Sequence, residues 1–109
     1  MPINYKVLGQ SNPAATTATT LYTVPASTQA VVSTISVANT GGTSATFRIA
    51  IRVAGATLAT SQYIAFDTAI TANNSTMLTL GIALNAADVV TVYSSNTNLV
   101  FSAFGTEIS

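Results

Sequence analysis

The chain has 109 residues, three basic and three acidic side chains, and a formal net charge of zero. Charged residues make up 6% of it and hydrophobic ones 49%, so it is too apolar for a disordered chain and far less charged than an ordinary soluble domain. Without Cys, His or Trp it has no thiolate nucleophile, no Ser-His-Asp triad, no disulfide and no zinc site of the usual kind.

One domain is expected, spanning 1–109, because this length holds a single core. Ala, Thr and Ser supply 48 residues, so the surface must be covered by small, uncharged side chains. Three cations make no electrostatic footprint for nucleic acid. No apolar run reaches the roughly 18 residues of a membrane helix, and Met1–Lys6 lacks the basic start and apolar stretch of a signal peptide. A product made and kept in the cytoplasm is expected, with no cofactor and no membrane partner.

In chain order the first strand is expected at Asn4–Leu8, closed by Gly9. Residues 10–20 (QSNPAATTATT) read as a long surface loop or as an extended arm that reaches over a neighbouring subunit, with Thr16, Thr17, Thr19 and Thr20 as interface residues. A short strand follows at Leu21–Val24, ended by Pro25. The long strand Gln29–Asn39 is expected to place Val31, Ser33, Ile35 and Val37 on one face. Gly41-Gly42 turns the chain into Ala45–Val53, where Phe47, Ile49, Ile51 and Val53 point inward and Arg48, Ala50 and Arg52 outward. Strands then follow at Gln62–Phe66 (with a bend beginning at Asp67-Thr68), Thr76–Leu84 (with a bulge or close approach at Gly81), Val89–Tyr93 and Leu99–Phe104. About eight strands at this spacing, with no helical period, predict an all-β single antiparallel β-sandwich of jelly-roll or immunoglobulin-like type with an extended N-terminal arm.

Arg48 and Arg52 share the outward face of their strand and are candidates for an interface or an anion-binding pair, or simply for a solvated face that discourages edge pairing. Their only possible partners inside the chain are Asp67, Asp88 and Glu107. Those three carboxylates are scattered singly, unlike the pair that glycoside hydrolysis needs or the clustered acids of a calcium site. Asp88 fits a turn-shaping role. No enzyme is expected. Among the aromatics, Tyr22, Phe47, Phe66, Phe101 and Phe104 are expected in the core, and Tyr5, Tyr63 and Tyr93 at the surface. Tyr63 is a candidate interface residue, and Tyr63 with Tyr93 could serve a carbohydrate-binding attachment module.

The runs Leu21–Ala26, Gln29–Ile35, Ala38–Gly42, Ala45–Ala50, Tyr63–Asp67, Leu78–Ile82, Asp88–Tyr93 and Leu99–Gly105 together resemble the small β-rich virion structural proteins of tailed bacteriophages, particularly those of cyanobacterial phages. The resemblance covers nearly the whole chain and brings no catalytic residues with it. It implies a structural protein of the virion, assembled in the host cytoplasm, and leaves head, neck and tail open. On the head the expected role is a capsid decoration or cement protein, partnered by the major capsid protein and by itself as a homotrimer. The alternative is a neck, tail-fibre or baseplate accessory protein.

Overall fold

A computed structural model of the protein describes residues 3–109. Its eight strands are β1 (Ile3–Ser11), β2 (Thr19–Thr23), β3 (Gln29–Asn39), β4 (Ala45–Arg52), β5 (Tyr63–Ile70), β6 (Ser75–Leu84), β7 (Val89–Ser94) and β8 (Leu99–Ile108). Two single 3-10 turns, Val53–Gly55 and Thr60–Gln62, interrupt the connection from β4 to β5. The strands form two four-stranded sheets, in the orders β1-β8-β3-β6 and β2-β7-β4-β5, with every pairing antiparallel. That order is the eight-stranded jelly roll, so of the two expected sandwich types it is this one that forms.

The core lies between the sheets and is made by alternation. Leu99, Phe101 and Ala103 of β8, Val90 and Val92 of β7, and Phe47 and Ile49 of β4 are fully buried. Phe47 and Phe101 meet edge to face, with ring centroids 6.1 Å apart, across the sandwich. Asn39 closes one end of the core. Its amide donates to the carbonyls of Thr43 and Thr71 at 2.8 and 3.2 Å, and its oxygen accepts from the Gly41 backbone at 3.0 Å.

Bulges correct the simple alternation. In β3 the pairing with β8 slips between Val32 and Thr34. The extra residue, Ser33, reverses the strand's faces, so Val32, Ile35 and Val37 are buried while Val31 and Ser33 face out. The expected single face of Val31, Ser33, Ile35 and Val37 is therefore broken. The slip continues across the sheet to β6, where the extra residue falls at Leu80–Gly81. Gly81 is thus a bulge site with open space above it, and not a place of close approach. Val53, expected inside, lies beyond the end of β4 in the 3-10 turn and is 66% exposed.

At one side of the sandwich β1 and β2 run in contact. A Cβ on Gly9 would strike the Leu21 carbonyl, so glycine lets the two strands pass. Residues 10–20 make this crossing. Gln10 and Ser11 belong to β1, and Asn12 donates to the carbonyls of Thr97 and Leu99 at 3.0 and 2.7 Å. Pro13 is buried, and the Thr16 backbone donates to Ser94 at 2.8 Å. Within the chain this segment is a connection held along its own domain, where Asn12 and the Thr16 backbone find partners.

Candidate interaction surfaces

The six charged side chains are all engaged within the chain. Lys6 lies 2.8 Å from the Oε1 of Glu107. Arg48 donates to both carboxylate oxygens of Asp67. Arg52 donates to the carbonyls of Ala56 and Gly55 at 2.7 and 3.0 Å. Asp88 accepts from the backbones of Ala54 and Asn85 at 2.8 and 2.9 Å, which ties the β4–β5 connection to the turn before β7. Among the described residues no three side chains of the His, Cys, Asp and Glu type come together.

The Lys6–Glu107 pair includes a third member from the other sheet. The Tyr22 hydroxyl donates to the Oε2 of Glu107 at 2.5 Å. Lys6 first, and then Tyr22, hold the Glu107 carboxyl below its ordinary pKa against the opposing effect of burial. Burial, reinforced by the same carboxylate, pushes the Tyr22 phenol up. This trio joins β1, β2 and β8 and secures the strand that edges the first sheet.

The outer face of that first sheet carries no charge. Residues directly opposite each other in an antiparallel pair share a face, so the register lays out its rows. One row runs Tyr5, Thr106, Val31, Ala83 across all four strands. The next runs Val7, Phe104, Thr34, Thr79, and a third runs Gln10, Ser102, Ser36, Met77. Tyr5 is 84% exposed and Met77 68%, and Ile3, Val7 and Val31 are also exposed large hydrophobics. Phe104, expected in the core, is half-buried and lies on this outer face.

The outer face of the second sheet is different. The β4–β5 connection folds back against β4 and β7, and the outward pair Ala50 and Thr91 beside it is buried. At the other end stands a compact cluster around Arg48. Its guanidinium lies between two rings, 4.2 Å from the centroid of Phe66 and 4.4 Å from that of Tyr93. Tyr63 packs edge to face on Phe66, with centroids 4.9 Å apart. The Arg48 Nε meets the Asp67 Oδ1 at 2.6 Å, and its second nitrogen meets Oδ2 at 3.3 Å.

A bulge in β5 builds this cluster. Pairing with β4 slips where Phe47 faces Thr68 and Ile49 faces Ala65, leaving Phe66 and Asp67 together opposite Arg48. In a regular strand neighbours point to opposite faces. Here Asp67 takes φ +48, a conformation that Asp tolerates better than most residues. Phe66 and Asp67 then both reach Arg48. Phe66, expected in the core, is accordingly 53% exposed.

Of the residues singled out from the sequence, Arg48, Asp67, Tyr63 and Tyr93 come together in this cluster. Arg52, on the same face, is occupied with the connection. The four threonines lie elsewhere, around β2 at the opposite edge of this sheet. Thr16 and Thr17 donate to the Ala15 carbonyl and Thr19 to that of Thr17, while Thr19 and Thr20 pair with Val92 and Thr91 of β7. Asp67 is one of the three carboxylates the sequence offers to Arg48, and Phe66 is the surface partner that sequence reasoning missed. The available signal was the bend suggested at Asp67-Thr68, which is the bulge.

No protein-family model matches the chain, and no curated protein matches it. A solved structure of the infectious bursal disease virus Gx strain is similar at 12% sequence identity and a TM-score of 0.49. The match covers 97% of this chain and 31% of that one, so this chain spans less than a third of its neighbour's length.

Proposed function

We propose that the protein is a structural component of a virion and acts through protein–protein contact. The observation that carries this reading is the uncharged outer face of the first sheet, with its rows of exposed Tyr5, Val7, Val31 and Met77. Each of the six charged side chains has a partner within the chain. Aromatic residues and Met are enriched in protein interfaces, and charged residues are depleted at their cores.

Within that class the reading is a capsid decoration protein of a tailed phage, seated on the major capsid protein and on copies of itself as a trimer. Cementing follows from repetition: each contact is modest, and many copies around a closed shell act together. Catalysis forms no part of the proposal.

Quantitative mass spectrometry of purified particles tests it. The expected result is this chain at a simple ratio to the major capsid protein, such as one to one or one to three. A content of a few per cent or less transfers the role to the neck or tail, and absence from particles overturns the virion reading.

A further inference from the structure

We propose that the Arg48–Phe66–Asp67 cluster on β4 and β5 is a binding platform for a neutral saccharide. This goes beyond the structural role and does not depend on it.

A sugar ring presents a patch of weakly positive C–H groups beside a fan of hydroxyls. The first suits the negative face of an aromatic ring, and the second needs fixed donors and acceptors within one ring's width. The bulge of β5 supplies both from consecutive residues. Phe66 meets Arg48 at 4.2 Å yet keeps 53% of its surface open. Asp67 stands beside it with its side chain 46% exposed. A carboxylate has about four acceptor positions and a guanidinium five N–H donors. The Arg48–Asp67 fork uses two of each, so acceptors and donors remain for hydroxyls.

The cluster is also held in place. Tyr93 backs the guanidinium at 4.4 Å, and Tyr63 braces the Phe66 ring. Groups already ordered lose little freedom when a ligand arrives. The charge of the fork sums to zero, which favours an uncharged ligand over a sialylated or sulfated one. The exposed large apolar side chains of β5 are Phe66 and Ile64, at 53% and 48%. A protein interface needs about 800 Å² from each partner, and the broad uncharged face of the other sheet is the surface suited to that. Jelly rolls serve both capsid and lectin domains, but the proposal rests on these side chains and not on the fold.

The test is a glycan array carrying neutral hexose and N-acetylhexosamine oligomers beside sialylated and sulfated ones, followed by amide NMR titration with a bound oligomer. Neutral oligomers should bind and shift the amides of residues 63–67 and 93, with little effect of added salt. Phe66→Ala and Asp67→Asn should each weaken binding by about tenfold or more. Asn tolerates the backbone conformation of Asp67, and an unchanged amide spectrum elsewhere confirms the fold. Phe66→Tyr should retain binding, and Met77→Ala on the other sheet should leave it intact. Failure of every neutral oligomer, a preference for charged glycans, or binding that survives Phe66→Ala overturns the proposal. So does protection of residues 63–67 from hydrogen exchange in assembled particles, which would make the cluster a protein contact. The array uses the isolated protein, so its outcome is separate from the particle ratio.

Discussion

The two outer faces of this jelly roll solve the same shortage of charge in opposite ways. The first sheet spreads uncharged side chains over four strands, in rows such as Tyr5, Thr106, Val31, Ala83. The second covers part of its face with the β4–β5 connection and concentrates polarity at Arg48 and Asp67. A broad neutral face offers area and shape. A compact ion pair among rings offers directed hydrogen bonds and little area. The difference shows that the six charged side chains organise backbone, rings and one another, and that none of them is placed on the outer face of the first sheet.

The comparison breaks most sharply if the neutral face is given charge. Tyr5→Glu with Val7→Glu should reduce association with particles by about a hundredfold or more, since two carboxylates would be desolvated without partners. Circular dichroism should show the fold unchanged, and pelleting with particles lacking the protein reads the loss. Full association by the double variant would show that this face is not the contact.

Next in size is the trio that secures β1, the strand carrying Tyr5 and Val7. Glu107→Gln should cost about 1.5–3 kcal/mol in urea unfolding, the range for a hydrogen bond to a charged group. The same group sets an acid limb. Because Glu107 titrates lower in the folded chain than its ordinary value of 4.5, its contribution is complete above that value. It fades as the pH falls through the folded pKa. Wild-type stability should therefore drop with acidification over this window, and the drop should be smaller in Glu107→Gln. Equal acid limbs would exclude Glu107 as the source.

On the second face, Arg52→Ala removes two hydrogen bonds to the connection and should cost about 1 kcal/mol. Its clearer signature is faster proteolysis within residues 53–62. The smallest effect is expected from Met77→Ser, within about 0.5 kcal/mol, as for an exposed side chain that holds nothing together. A larger loss would mean that the neutral face supports the fold rather than standing ready for a partner.

Much of the architecture was legible in the residues. Gln29–Asn39 was read with its observed boundaries, and the alternation of Phe47 and Ile49 against Arg48 and Arg52 was read correctly because a regular strand has a strict period of two. The cluster was half legible. Arg48, Tyr63 and Tyr93 read as surface residues, but Phe66 reads as core because it closes the apolar strand Gln62–Phe66. A bulge adds one residue and reverses every later assignment on its strand, as it also does at Ser33. Its only local trace at Asp67 is a residue type tolerant of positive φ.

Composition and periodicity by themselves determined an all-β sandwich with little charge and no thiol or imidazole chemistry, because those properties depend on residue type and local spacing alone. Only the tertiary structure decided the jelly-roll order, the packing of residues 10–20 against their own domain, and the meeting of Phe66, Asp67, Tyr93 and Tyr63 around Arg48. Each of these depends on pairing between strands distant in sequence. The free energy of such pairing lies in register, bulges and packing across the sheets, which no local window of the chain contains.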